Sequence, residues 1–443
     1  MKVADDDFDL EVRGYRQEMP RQFSVFSLVA LSFSLTCTWS GTGSSLGVAL
    51  QEASAAGVLW SLPVAGLMTA ILSAGVAELA SAFPVAGAQY YWAYCLSSQE
   101  YRAFASYING WLSILGWWLA SASACNFISS LILSIAFLWY PDYESKSWHQ
   151  WLVYVGIIWL AVALNTFGSQ ILPLFNQFNF IVACCTLTAT TVTLFVCSRN
   201  NHAAVDWVFS DTTNSTGWSS DGLAFILAIS NSVYAFLGTD CGAHLCEEIR
   251  EPAKNTPKII LFPILIGLGT AWPFACAFHP QFKIPLNALC LSATVISLYG
   301  LIFLGSTTAF SAMVGAAVIF LQTSCALPQA ILLWRGRDKV LPERAFSLGR
   351  LGPAINSIAV MWVVFLDIIF FLPTEMPVTK ENMNYVSVVS VGLTGFVLGL
   401  YFFSKRGRFN GPMVLDVHVQ RVDAVAAEQG DDSLNRESAK KQW

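Results

Sequence analysis

Charged side chains are scarce in this sequence. Aspartate, glutamate, lysine and arginine make up only 12% of its 443 residues, about half the share that a soluble globular protein carries. They are also concentrated at the ends, because residues 1–23 hold ten of them and residues 405–443 hold thirteen. A water-soluble domain of this length needs more charge to keep its surface hydrated. The scarcity excludes a soluble enzyme, a nucleic-acid-binding protein and a disordered scaffold.

Several short signatures are missing as well. The acidic N-terminus has the pattern of neither a secretory signal nor a transit peptide. The sequence contains no His-Glu-x-x-His, Gly-x-Ser-x-Gly or P-loop motif. Its eleven cysteines show no Cys-x-x-Cys or Cys/His spacing, so packed thiols are favoured over a disulfide frame or a metal site. We therefore expect no catalytic activity, no cofactor, no metal and no nucleic-acid partner.

Long apolar runs are what the sequence has in abundance. Hydrophobic residues make up 55% of the chain, and eleven segments are long enough to cross about 30 Å of hydrocarbon. The runs lack the period-2 alternation of barrel strands. The sequence therefore predicts an all-α polytopic membrane protein with a lipid bilayer around it. The predicted spans are residues 24–48, 57–83, 106–138, 149–167, 173–197, 222–246, 257–278, 284–304, 307–334, 353–373 and 384–404.

Basic residues in the loops predict the orientation. We place residues 1–23 in the cytosol as an N-terminal tail and residues 405–443 there as a disordered tail. The loops 247–257 and 335–352 are both basic and should be cytosolic. The glycosylation sequon at Asn214 then falls on the opposite side, where a glycan can be attached.

The same two basic loops reveal a problem of parity. An even number of spans must separate them, but three are predicted. We expect that 257–278 or 284–304 fails to make an ordinary crossing and is tilted, kinked near Pro273 or partly re-entrant.

Two spans contain residues that tolerate a helix break inside the bilayer, where freed backbone groups can bind a ligand. In span 1, unwinding at residues 39–45 would present the N–H groups of Thr42, Gly43 and Ser44 to a carboxylate. The alternative is close helix packing through small residues. In span 6, residues 234–240 end in Asp240, an acid whose insertion costs about 2.5–3.5 kcal/mol. A proton carrier, a cation ligand or a gate would use it, and the alternative is a structural acid.

Three other polar groups lie in or near spans. Glu78 is near the cytosolic end of span 2, where we expect snorkelling or a structural hydrogen bond. Asp367 lies in span 10, outside any break motif. His244 follows Asp240 by one helical turn, and we expect it to be packed or to line a gate.

Three motifs carry a family resemblance. They are Glu78-Leu-Ala-Ser-Ala-Phe-Pro-Val-Ala-Gly-Ala-Gln-Tyr-Tyr-Trp92, Gly238-Thr-Asp-Cys-Gly-Ala-His-Leu-Cys-Glu-Glu248 and Pro377-Val-Thr-Lys-Glu-Asn-Met-Asn-Tyr385. Over roughly residues 20–405 the chain resembles the amino acid–polyamine–organocation superfamily of permeases, within it the fungal amino acid/choline transporter group. That group includes GABA permeases and choline permeases.

The resemblance implies a LeuT-like fold of two inverted repeats within residues 24–404. The first repeat would cover about 24–197 and an incomplete second about 222–334, followed by two extra helices in 353–404. Substrate would bind between spans 1, 3, 6 and 8, with Asp240 in gating or proton coupling. The predicted substrate-binding residues are Trp39, Gly41, Thr42, Gly43, Ser44, Ala120, Ser121, Tyr234, Phe236 and Gly238.

The chain departs from the family pattern in one large way. The family has twelve spans, and here the eighth is missing, so we predict about eleven and a deletion at residues 268–284. The parity of the loop charges indicates the same loss independently.

The expected function is secondary active transport of amino acids, GABA or choline by alternating access. The alternative is a transport-inactive truncated or spliced product with a regulatory role or none. A helix N-terminus in span 1 suits a carboxylate, whereas Asp240 with nearby aromatic rings suits a quaternary ammonium. A coupling proton is one option left open. We expect the plasma membrane, with the vacuolar membrane as the alternative.

Overall fold

A computed structural model describes residues 25–36, 38–140, 142–167, 209–271, 307–379, 383–412 and short stretches between 178 and 189. For residues 39–49 it describes the backbone alone.

Every regular element in these parts is helical, which confirms an all-α polytopic membrane protein. Seven of these helices are long and apolar enough to cross a membrane. The helices are α1 (Val25–Thr36), α2 (Thr38–Ala82), α3 (Ala88–Leu96), α4 (Arg102–Trp139), α5 (Ser147–Phe167), α6 (Asp221–Val233), α7 (Cys241–His244), α8 (Pro252–Ala271), α9 (Thr307–Arg335), α10 (Arg337–Val340), α11 (Gly352–Ile369) and α12 (Val386–Leu400). Short 3₁₀ turns lie at Tyr234–Phe236, Cys246–Glu248 and Gly349–Leu351, and a π-helical turn at Tyr401–Lys405.

The break predicted for span 1 at residues 39–45 is wrong. The backbone is helical through these residues. Non-helical dihedral angles within α2 occur later, at Ala53 and Ser54, where span 1 turns into span 2. A glycine in a helix costs only about 1 kcal/mol relative to alanine, so the glycines at 41 and 43 permit a break without enforcing one.

The break predicted for span 6 is confirmed. Helix α6 ends at Val233, a 3₁₀ turn follows, and α7 begins at Cys241. Gly238 has φ +77°, in the left-handed region that glycine adopts without a steric penalty. The aspartate of this segment therefore lies at a true interruption of the span.

Helix α3 was missed by the sequence analysis, which left residues 88–96 between two spans. Its nine residues extend only about 14 Å, too short for a crossing. It is nonetheless deeply buried, and Trp92 Nε1 donates a hydrogen bond to the carbonyl of Phe83 at 3.0 Å. Helix α3 packs against α4 and α9 and belongs to the main core.

The two basic loops lie on the same face, as their charges predicted. At one end of α8, Ser81 Oγ donates to the carbonyl of Ala253 at 2.6 Å. Just after the C-terminal end of α9, Arg337 Nη2 donates a hydrogen bond to Glu78 Oε2 at 2.5 Å. Both loops therefore contact the end of α2. Helix α8 therefore starts at this face and α9 ends at it. The predicted span 284–304 and most of the junction 268–284 lie outside the described residues.

The C-terminal tail predicted to be disordered begins with a folded stretch. Residues 405–412 are described, and the ring of Phe409 packs edge-on against Tyr107 with 5.4 Å between centroids. This contact places the stretch against α4, which composition averaged over the tail does not reveal.

Candidate functional site

Asp240 is the centre of a polar cluster in the broken part of span 6. The residue is only 2% exposed. Its Oδ2 atom accepts hydrogen bonds from Gln89 Nε2 at 2.5 Å and from Trp117 Nε1 at 3.4 Å. His244 Nε2 lies 3.5 Å from the same oxygen. Within the described parts of the chain, no lysine or arginine pairs with this carboxylate.

Gly238 permits the close approach of span 6 to α4. A Cβ atom at this position would lie 3.0 Å from Cη2 of Trp117 and 3.7 Å from the carbonyl oxygen of Leu35. Asp240, two residues later in the chain, contacts the indole of Trp117. Of the predicted site residues, Gly238 thus has a clear role in shaping the site.

Two motifs that are far apart in sequence meet at this cluster. The backbone of Ala86 donates to Glu247 Oε1 at 2.8 Å, and its carbonyl accepts from His244 Nδ1 at 2.9 Å. Gln89 reaches Asp240 from the same stretch. The segments 78–92 and 238–248 are therefore two sides of one contact surface.

Tyr234 is fixed to α4 rather than standing alone. Its hydroxyl lies 2.6 Å from Ser123 Oγ, which also donates to the carbonyl of Ala120 at 2.7 Å. The ring packs edge-on against Phe127 at 5.8 Å. Span 6 and α4 are thus joined at the start of the break, and Ala120 participates through its backbone.

A groove of about 450 Å³ opens beside the cluster, between α1, α4 and α7. The predicted residue Ser121 lines it, together with the cluster members Trp117 and His244. Cys241 and Leu245 form its wall on the half of span 6 that leads to the loop 247–257. The groove therefore belongs to the predicted cytosolic half of the molecule.

Some predicted residues lie elsewhere. Phe236 is fully buried in the main core and does not line the groove. Asp367 accepts a hydrogen bond from Thr323 Oγ1 at 3.2 Å, between α9 and α11. The side chains of Trp39, Gly41, Thr42, Gly43 and Ser44 are outside the described residues.

One buried acid, Glu52, was not identified from the sequence. Glu52 is 1% exposed, and both of its carboxylate oxygens accept from Asn231 Nδ2 at 2.7 Å. It lies next to the kink at Ala53 and contacts α6, which precedes the break in span 6. The signal was an acid within an otherwise apolar stretch between the predicted spans 24–48 and 57–83.

The loop 209–220, which we call the outer loop, lies on the face that is predicted to be non-cytosolic. Ser54 Oγ donates to Asp211 Oδ2 at 2.7 Å, and the amide of Met376 donates to the carbonyl of Thr216 at 2.7 Å. The outer loop thus connects the kink in α2 with the segment after α11. Asn214 lies in this loop, and its amide Nδ2 donates to Asp221.

Comparison with known proteins is consistent with this architecture. The family described as "Amino acid permease" matches residues 23–279 and 277–394. A choline transporter of Saccharomyces cerevisiae is 24% identical, over 88% of this chain and 82% of its own. The amino-acid permease BAT1 of Arabidopsis thaliana is 26% identical, over 91% and 95%. A 7-keto 8-aminopelargonic acid transporter of Saccharomyces cerevisiae is 23% identical, over 83% and 90%.

The pieces of the family match meet at residues 277–279, inside the junction 268–284. The alignment to the yeast choline transporter extends over 467 positions, which is longer than the 443 residues of this chain. That relative therefore has residues that this chain lacks.

Proposed function

The chain belongs to the amino acid permease family, and from this premise we propose that it is a secondary active transporter of amino acids, GABA or choline that works by alternating access. Membership already makes it a multi-pass membrane transporter of small nitrogenous solutes and not an enzyme. The observation that supports the finer proposal is the interruption of span 6, with a buried acid held between α3, α4 and α7. We place the protein in the plasma membrane, with the vacuolar membrane as the alternative.

Asp240 is the proposed coupling or gating group. Its hydrogen-bond donors, Gln89 and Trp117, are neutral. A buried carboxylate without a permanent countercharge is costly in its ionised form. Gain and loss of one proton would therefore change the balance of contacts around the break, which is the behaviour that proton-coupled gating needs.

The substrate-binding proposal keeps the predicted residues. A substrate carboxylate would bind beside Trp39, Gly41, Thr42, Gly43 and Ser44. Tyr234 and Ser121 would contact the substrate from the sides of span 6 and α4.

Uptake in transporter-null cells tests the function directly. Radiolabelled amino acids, GABA and choline are offered to cells that express the full chain, with surface delivery checked by microscopy. Accumulation of at least one of them supports the proposal. Absence of all uptake by correctly delivered protein would refute it.

The Asp240→Asn variant tests the coupling role. In proteoliposomes with an alkaline interior it should lose concentrative uptake but keep substrate exchange. Asp367→Asn is the matched control, because that acid also lies in a span but contacts Thr323 away from the cluster. If Asp240→Asn accumulates substrate with unchanged pH dependence, Asp240 is structural.

A second candidate is a transport-inactive permease product. It is favoured by the family match that divides at residues 277–279, at the deletion that we predicted. Sequencing the transcript across residues 270–290 tests the deletion, and a negative uptake assay with well-delivered protein would favour this candidate.

A further inference from the structure

We propose that His244 and Asp240 form a proton relay, in which His244 passes the coupling proton between the buried carboxylate and the water of the groove. The proposal rests on the transport function proposed above. It assigns a role to a histidine that the sequence analysis expected only to be packed or to line a gate.

Burial separates the two residues into an inner and an outer partner. Asp240 is 2% exposed, whereas the side chain of His244 is 31% exposed. His244 lines the groove and Asp240 does not. A proton that leaves Asp240 toward the cytosolic half therefore meets the imidazole before it meets bulk water.

The hydrogen bond at the other ring nitrogen fixes the tautomer. His244 Nδ1 lies 2.9 Å from the carbonyl oxygen of Ala86, which can only accept, so Nδ1 carries the hydrogen. In a neutral ring, Nε2 then presents a lone pair. That atom makes no hydrogen bond within the described residues and lies 3.5 Å from Asp240 Oδ2.

This geometry favours one shared proton. With a neutral imidazole and an ionised carboxylate, the lone pairs of Nε2 and Oδ2 would face each other and repel. A proton on Oδ2 turns the contact into O–H···N, and a proton on Nε2 turns it into N–H···O between opposite charges. The last form is the stronger kind of hydrogen bond.

The transfer itself is balanced. The O–H bond of the Asp240 carboxyl breaks as the Nε2–H bond forms, which leaves a carboxylate and an imidazolium. Nε2 is buried in this conformation, so the imidazolium turns about its side-chain bonds to bring Nε2–H to the groove. There it releases the proton to a water molecule, so one proton has moved and no other reactant is needed. Approach from 3.5 Å to a charge-assisted bond of about 2.8 Å requires only a small movement of the ring.

The surrounding groups do not offer an alternative carrier. The titratable neighbours in the described cluster are the thiols of Cys241 and Cys325 and the carboxylate of Glu247. Cys241 Sγ lies 3.0 Å from Ser32 Oγ, and Cys325 Sγ lies 3.6 Å from Gln89 Nε2. Thiols ordinarily ionise near pH 8.5, and Glu247 is bound to the amide of Ala86.

The test uses His244→Gln in proteoliposomes that contain a pH-sensitive dye. Exchange of substrate without a gradient is measured in parallel, and it corrects for any loss of substrate binding. Relative to exchange, gradient-driven accumulation and the coupled proton flux should fall at least about tenfold, since a positioned proton-transfer group contributes about 10²–10⁴-fold. His149→Gln is the control, because His149 stacks on Tyr143 away from the cluster.

Infrared titration of the purified wild-type protein separates this proposal from the transport function. The carboxyl band that Asp240→Asn removes and the imidazole band that His244→Gln removes should respond at the same pH, because they share one proton. This result is expected even if the wild type transports nothing. Bands that titrate independently in the wild type, or full proton coupling in His244→Gln, would overturn the relay.

Discussion

Replacing Glu78 with glutamine should destabilise the protein by about 3 kcal/mol. Glu78 is 1% exposed and lies at the end of α2. Its oxygens bond Arg337 Nη2 at 2.5 Å, Arg344 Nη2 at 2.7 Å and the amide of Leu348 at 3.0 Å. One carboxylate thus holds the loop 335–352 against span 2.

The magnitude follows from the burial of the arginines. The side chain of Arg337 is 6% exposed, so Glu78→Gln leaves its guanidinium buried with only the neutral oxygen of Asn356, at 2.8 Å. Removing one partner of a buried ion pair costs about 3–5 kcal/mol. Arg344 is 16% exposed and can turn toward water, which places the expected value at the lower end.

Thermal stability in detergent is the assay, read as the fraction of monodisperse protein after heating. Glu251→Gln is the matched control, because its pair with Lys254 is 3.6 Å long and exposed by 34% and 63%. Such surface pairs contribute about 0–1 kcal/mol. The double variant Glu78→Leu with Arg337→Met should recover most of the loss, since apolar groups can replace a buried pair.

Equal stability of Glu78→Gln and Glu251→Gln would refute the reasoning. It would mean that the loop 335–352 is not held at the end of α2. Trypsin gives a second readout, because release of the loop should speed cleavage at Lys339, which is exposed.

Three further predictions concern single positions. Burial and the charge of Glu247 raise the pKa of Glu248 to about 7, so wild-type stability should fall as pH rises from about 4.5 toward 7. Glu248→Gln should remove this pH dependence and raise the free energy of unfolding above pH 7 by about 1 kcal/mol, a value reduced for solvent screening. Thermal stability measured against pH tests this. Gly238→Ala should lower the free energy of unfolding by about 1–3 kcal/mol, because φ is +77° and the new Cβ would lie 3.0 Å from Trp117. A lower temperature of thermal denaturation than that of the wild type would show this loss. Asn214→Gln should abolish the gel shift that a glycosidase produces with the wild type, and persistence of the shift would contradict glycosylation at this sequon.

The helical class and the shared face of the two basic loops were predictable from sequence. Both depend on local quantities, namely apolar length and basic residues beside it. The break in span 6 was predictable for the same reason, since Gly238 and Asp240 are adjacent to it. In span 1 the corresponding inference was wrong, because glycine lowers helix stability by an amount that packing overrides.

The partners of Asp240 were not predictable in this way. Gln89 and Trp117 approach it from segments separated by 151 and 123 residues. No periodicity of the sequence connects such positions. Gln89 belongs to one of the motifs that carry the family resemblance, but the motif does not indicate which residue it contacts. Glu52 was missed because a charged residue between spans is ordinarily solvated, whereas the kink at Ala53 turns it inward.

The two buried acids Glu78 and Asp240 differ in the charges of their hydrogen-bond partners. Glu78 is balanced by two guanidinium groups, so a proton gained there would abandon two buried charges at once. Asp240 has neutral donors and one imidazole, a group that itself gains and loses a proton near neutral pH. This difference is the reason that we propose Asp240, and not Glu78, as the coupling acid.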